Sequence, residues 1–249
     1  MLPILTEAHD FLKDCDVPYA FCGGYALELF LNTTLRSHSD VDVVAFEQDK
    51  ISLIRYVVSK GWNIYEHTSE WTHNKKTHAY LRLIQNTKDQ EVSPLHSVWA
   101  IKPDCSLVKV GPKIDGNNTF TYEILNTEQL TFDFFEIVFN KQHDGNFVVD
   151  SRTRQNRNIT RALDKAILHH GDIPYLAPEI ILFFSAHPAY RESAYHREKN
   201  TIDWNCTLPF LPEESVRWLI DSLRTAYPEG NRRLDELITL NEMNKSKTS

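Results

Sequence analysis

The chain has 249 residues, 41% of them hydrophobic and 24% charged, with a formal net charge of -7; this composition supplies a core and excludes a disordered or fibrous protein. No apolar run reaches the ~18 residues of a membrane span, and Glu7, Asp10, Lys13, Asp14 and Asp16 interrupt the first stretch, so the protein reads as cytoplasmic, with no spanning helix or secretory leader expected. The acidic balance argues against a nucleic-acid backbone as the main ligand, since the basic cluster is confined to Arg152, Arg154, Arg157, Arg161 and Lys165, and it suits a cationic small substrate.

In chain order, Leu5, Ala8, Phe11 and Leu12 recur at helical spacing and predict a helix over 6–14. The run at 18–22 predicts a short buried strand stopped by Gly23-Gly24, and the apolar positions from Ala26 to Leu31 a helix ending near Asn32. A strand follows at 41–46, a helix at 51–61 with a glycine stop, and a strand at 62–67. Between 77 and 149 several β-like runs alternate with turn chemistry such as "KPDC" and "DGNN". Helices are then predicted over 160–171, 178–186 and 212–227, the last two with proline at the first position and glutamate in the first turn. The expected class is α/β in the α+β sense: a mixed-sheet domain over 1–150 with flanking helices, a helical domain over 151–243, and a disordered tail at 244–249. The domain boundary is placed in 149–158.

Cys15, Cys22, Cys105 and Cys206 form no C-x-x-C pair, so free and mostly buried thiols are expected, with no zinc site. His169-His170 reads as a pair facing the dipole of a helix end. Phe132, Phe134, Phe135 and Phe139 read as core, because both faces of their strand are apolar, and Trp99, Trp204 and Trp218 as packing. There is no G-x-x-x-x-G-K-[ST], G-x-G-x-x-G, G-x-S-x-G or H-E-x-x-H motif.

Chemistry enters through "FCGGYALELFLNTTLRSHSDVDVVAF", residues 21–46. In a strand, residues two apart share a face, so Asp40 and Asp42 project together while Val41 and Val43 enter the core. Two carboxylates this close repel, and a divalent cation such as Mg²⁺ turns the repulsion into attraction; Mg²⁺ takes one or two carboxylates and completes its shell with water and phosphate oxygens. A glycine turn opening a helix offers backbone N–H groups to those phosphates. His38 either contacts carboxylates or phosphates or orders the loop, and Arg36 meets a phosphate or neutralises Asp40 and Asp42.

Gly23-Gly24, the helix and the D-x-D strand together resemble the nucleotidyltransferases of the DNA polymerase beta superfamily. The run Arg36, His38, Asp40 and Asp42 is similar to that of the aminoglycoside and lincosamide nucleotidyltransferases. The resemblance extends to 173–184, 197–204 and the "LPFLPEESVRWLIDSL" segment. The chain departs from the pattern at Ser185, where a lysine is frequent, at Lys199-Asn200, where a lysine-aspartate pair is frequent, and at Asp150, Ser151 and Arg152, near which a double arginine is frequent.

The resemblance implies transfer of AMP from ATP to a hydroxyl of a small acceptor, with Mg²⁺ as cofactor and pyrophosphate as leaving group. Asp40 and Asp42 would hold the metal, and Gly23, Gly24, Arg36 and His38 would face the nucleotide. A third carboxylate would complete the site and act as base. Asp133 and Glu136 fall on opposite faces of one predicted strand, so only one of them can serve. The family pattern, a carboxylate before an apolar triplet, matches Glu136; Asp133 is the alternative and Glu123 ranks behind both. An antibiotic acceptor is implied, and the acidic chain favours an aminoglycoside over a lincosamide. Two other readings stay open: the same fold nucleotidylating a protein or a tRNA, and a non-catalytic nucleotide-binding scaffold. Oligomeric state is not legible.

Overall fold

The computed structural model describes residues 3–38, 40–72, 75–84, 97–105, 108–112, 119–124, 131–149, 159–187 and 194–239. The chain divides into two compact units, Met1–Tyr25 with Arg36–Asn140, and Ala26–Leu35 with Lys141–Ser249. The boundary expected in 149–158 falls on residues that, apart from Val149, lie outside those described, as does the tail at 244–249.

The first unit is built on a mixed sheet. Its elements run α1 (Pro3–Leu12), β1 (Tyr19–Cys22), the start of α2 (Gly23–Leu31), β2 (Val41–Phe46), a 3-10 turn at Glu47–Asp49, α3 (Lys50–Ser59), β3 (Asn63–Thr72), β4 (Lys75–Leu83), β5 (Ser97–Ile101), β6 (Val108–Pro112), β7 (Thr119–Ile124) and most of β8 (Phe134–His143). The strand order is β1-β2-β8-β5-β3-β4-β7-β6. The β2–β8 pairing is parallel, while β1–β2, β5–β8, β3–β5, β3–β4, β4–β7 and β6–β7 are antiparallel. These bounds fall within a few residues of those predicted; α2, however, begins at Gly23 itself.

Aromatic packing fixes which way the central strands face. Phe11 of α1 lies 4.7 Å from Trp62, 5.6 Å from Phe132 and 5.9 Å from Phe135 by ring centroids. Leu53, Ile54 and Val57 of α3 are fully buried, and the Lys50 ammonium stands 5.1 Å from the centre of the Phe139 ring. Phe135, Ile137 and Phe139 thus form one buried face of β8. A one-residue slip would turn that face outward, so burial of this size specifies the register. The predicted core phenylalanines are all buried.

In the second unit, α2 ends with Asn32 at φ 52, and the buried Glu28 accepts a hydrogen bond from the Leu35 amide at 2.7 Å. The end of β8 continues into β9 (Asn146–Val149), which pairs with β10 (Ile159–Ala162). Then follow α4 (Leu163–Ala166), β11 (Ile167–His170), β12 (Ile173–Leu176), α5 (Pro178–Ser185), α6 (Ala194–Thr207) and α7 (Glu213–Ala226); residues 232–239 are also helical. The single helix expected over 160–171 is therefore wrong. Ile159 and Arg161 are buried in alternation with exposed neighbours, the period of a strand, and β11 folds onto β12 across Gly171-Asp172, where Gly171 has φ 60. Pairing outweighs the helical propensity of "ALDKA", which keeps one turn. His169-His170 accordingly lies on a hairpin strand, not at a helix end. Pro178 opens α5 as predicted, whereas Pro212 caps α7 from outside. None of the four cysteines is in a disulfide, as expected, but only Cys22 is buried, contrary to the expectation for most of them. Among the described residues no helix is long and apolar enough to cross a membrane.

Candidate active site

The face of β8 opposite Phe135 and Ile137 carries Glu136, and Glu136 is the register partner of Asp42 on β2. Asp42 in turn pairs with Cys22 on β1, and Glu136 with Trp99 on β5. Register partners project to the same side of a sheet. One row across four strands therefore reads Cys22, Asp42, Glu136, Trp99. Asp42 and Glu136 are partly exposed while Val41, Val43, Phe135 and Ile137 beside them are buried. Asp40 stands two residues before Asp42, at the entry to β2.

The two glycines are shaped around side chains. Gly23 has φ 63, a conformation that favours glycine, and a Cβ placed on it would lie 2.0 Å from Oδ2 of Asp42. A Cβ on Gly24 would lie 2.3 Å from Cε1 of His38 and 2.4 Å from Nη2 of Arg36. The missing side chains thus admit the Asp42 carboxylate on one side and the Arg36–His38 pair on the other. Arg36 Nη1 lies 3.2 Å from Nδ1 of His38 and donates to the Ser37 carbonyl at 3.3 Å. A guanidinium only donates, so Nδ1 accepts and the ring proton sits on Nε2. The His38 ring lies against Tyr25, with centroids 4.0 Å apart and planes at 30°. In the sequence Tyr25 marks only the start of the helix after the glycines, and an aromatic residue directly after them is the one signal of its contact with His38.

Electrostatics tie the carboxylates to one place. The fully enclosed Cys22 thiol is pushed well above its ordinary range, first by burial and then by the charges of Asp42, Glu136 and Asp40. Among the described residues no three His, Cys, Asp or Glu side chains are already gathered into a metal cage. Mg²⁺ does not demand one, since its shell is completed by water and phosphate oxygens. A hard, all-oxygen donor set beside a glycine that makes room for a carboxylate fits Mg²⁺ better than a thiophilic metal.

The other residues singled out by sequence lie elsewhere or are engaged. Asp133 precedes β8, and its carboxylate accepts from Thr131 Oγ1 at 2.7 Å and Lys102 Nζ at 3.3 Å. Glu123 is on β7, paired with Lys109 and separated from β8 by β5, β3 and β4, about 19 Å at the usual strand spacing. Arg152, Arg154 and Arg157 lie outside the described residues, with Asp150 and Ser151. Of the basic cluster confined to one region of the sequence, Arg161 and Lys165 are held in ion pairs. Arg161 is buried and donates to Glu179 at 2.7 Å and Glu214 at 3.2 Å, and Lys165 also binds Glu214. Ser185 and Asn200, both departures from the family pattern, meet: Asn200 Nδ2 donates to the Ser185 carbonyl at 3.3 Å, and Trp204 Nε1 to Ser185 Oγ at 2.7 Å.

No family profile matches the sequence, and no curated relative does. Among solved structures the chain is similar to the solution structure of the antibiotic-resistance factor ANT(2'')-Ia, at 15% identity and a TM-score of 0.44, over 90% of this chain and 93% of that one. It is similar to crystalline ANT(2'')-Ia in complex with adenylyl-2''-tobramycin, at 13% identity and a TM-score of 0.45, over 91% and 98% of the two chains. The third similarity is to the lincomycin-bound lincosamide antibiotic adenylyltransferase LnuA, at 14% identity and a TM-score of 0.45, over 82% and 96%.

Proposed function

We propose that this protein is a Mg²⁺-dependent nucleotidyltransferase that moves AMP from ATP to a hydroxyl of a small acceptor. The observation that carries the reading is the β2–β8 register, which sets Glu136 beside Asp42 with Gly23 moulded to the Asp42 carboxylate.

Asp40 and Asp42 would hold the metal, with Glu136 as third carboxylate. Bound Mg²⁺ would offset the charge of the triphosphate and polarise the phosphoryl group under attack. Arg36 and the Nε2–H of His38 supply donors above the first turn of α2, whose backbone N–H groups also favour phosphate. Glu136 accepts the proton of the acceptor hydroxyl as its oxygen bonds to the α-phosphorus. The bond from that phosphorus to the α,β-bridging oxygen breaks and pyrophosphate leaves; the proton passes from Glu136 to water. The acceptor class rests on the motif resemblance and on the net charge of -7, which draws a polycation such as an aminoglycoside more strongly than a lincosamide.

Thermal unfolding with ATP, GTP, CTP and UTP, each with and without Mg²⁺, tests the reading. A Mg²⁺-dependent rise in melting temperature, greatest for ATP, is expected, followed by pyrophosphate release on adding an aminoglycoside. No Mg²⁺-dependent rise with any of the four nucleotides would overturn it.

A further inference from the structure

We infer that Tyr25 is a positioning residue of this site: stacked on His38, it holds the Arg36–His38 pair against Gly24 and so sets how tightly the phosphates of a nucleoside triphosphate are gripped. The inference rests on the nucleotidyltransferase reading for its ligand, but not for its geometry.

Tyr25 is itself anchored. It lies in the first turn of α2 and is 5% exposed. The segment that brings Arg36 and His38 to the site is tied to Glu28 through its backbone, by the Leu35 amide at 2.7 Å and the Thr33 amide at 3.2 Å, and its side chains are less buried than that of Tyr25. Of its described residues 32–38, none is buried, and Asn32, Thr33, Thr34 and Ser37 are exposed. A side chain carried on such a segment loses rotamer and backbone freedom when it is held in one pose, and something packed must offset that loss. The Tyr25 ring does so, its centroid 4.0 Å from that of the imidazole and its plane tilted by 30°. Orientation then passes along the pair: the fixed ring points Nδ1 at Arg36 Nη1, 3.2 Å away, and both side chains lie within the space a Gly24 Cβ would take. A flat ring at position 25 is what the arrangement requires; an aliphatic side chain of similar bulk fills the volume without fixing the imidazole plane.

The test compares Tyr25→Leu with Tyr25→Phe in the full chain, using calorimetric titration with Mg²⁺-ATP and the NMR shifts of the His38 ring protons, assigned through His38→Asn. Tyr25→Leu should weaken Mg²⁺-ATP binding about tenfold, the size of one misplaced charge-assisted hydrogen bond. It should also remove the upfield ring-current shift of His38. Tyr25→Phe should restore both. If Tyr25→Leu does not fold, Tyr25→Met replaces it. Wild-type affinity together with an unmoved His38 resonance in the leucine variant overturns the inference while leaving the nucleotide reading intact. If the wild type itself fails to bind Mg²⁺-ATP, that reading falls, and the His38 shift alone decides whether Tyr25 positions the ring.

Discussion

Asp42 and Glu136 are register partners in the parallel β2–β8 pair, on the side of the sheet facing away from the Phe11–Phe135 packing. A parallel pair needs a long crossover, and here α3 and strands β3 to β7 intervene between the two residues in sequence. The two residues therefore share a row only because β8 returns to pair with β2, and the aromatic packing on the opposite face keeps them in register.

Loss of either partner should be felt in turnover. Asp42→Asn and Glu136→Gln are each expected to slow nucleotidyl transfer on the order of 10³-fold, or about 4 kcal/mol. Glu136→Gln should retain Mg²⁺-ATP binding, because Asp40 and Asp42 remain. Asp133→Asn, which breaks a partly exposed pair with Lys102, should keep its activity and lose no more than about 1 kcal/mol of stability. Initial rates and urea unfolding of the three variants, side by side, check this; an inactive Asp133 variant beside an active Glu136 variant would reverse the assignment.

The two glycines should fail differently. Gly23→Ala forces a side chain into φ 63 and into the Asp42 carboxylate, and is expected to cost about 1–3 kcal/mol of stability. Gly24→Ala meets the ends of two side chains on a partly exposed segment, which can move aside, so it should change stability less and nucleotide affinity more. Melting temperature and Mg²⁺-ATP affinity, measured on both variants, separate the two effects.

Burial and the neighbouring carboxylates raise the Cys22 thiol above its ordinary value of 9.0. The folded chain then keeps a proton that the unfolded chain releases, so this contribution is fully present below pH 9 and is lost as pH rises beyond it, by about 1.4 kcal/mol per pH unit per group. Urea unfolding without Mg²⁺ at pH 9 and 10 should show stability falling in the wild type. The decline should be shallower in Cys22→Ala; an equal slope in both would remove Cys22 as the cause.

In the second unit, Arg161 and Glu179 form an ion pair at 2.7 Å with side chains only 8% and 2% exposed. Removing one partner strands the other charge in the core, so Arg161→Met is expected to cost about 3–5 kcal/mol. The double variant Arg161→Met/Glu179→Leu should recover most of that loss in denaturant unfolding, because it leaves no buried charge.

Local pattern was enough for much of this protein. The strand at Val41–Phe46 lies where its β-branched run predicted, and the strand at Ser97–Ile101 falls within the β-like stretch expected between 77 and 149. Gly23-Gly24, Asp40 and Asp42 stand out in sequence because their spacing is itself the signal: a turn, a helix and alternation along one strand place them with no distant partner. The sequence by itself could not determine that 160–171 is a hairpin strand, one helical turn and a second strand, since only pairing with β9 and β12 outweighs local helical propensity. Nor could it tell that Gly24 is bare to admit Arg36 and His38, or that Tyr25 stacks on His38. The neighbour of Asp42 was likewise left to the tertiary structure. Period-2 alternation divides Asp133 from Glu136 without saying which of the two faces lies on the same side of the sheet as Asp42, and that choice is made by the burial of Phe135, Ile137 and Phe139 on the opposite side.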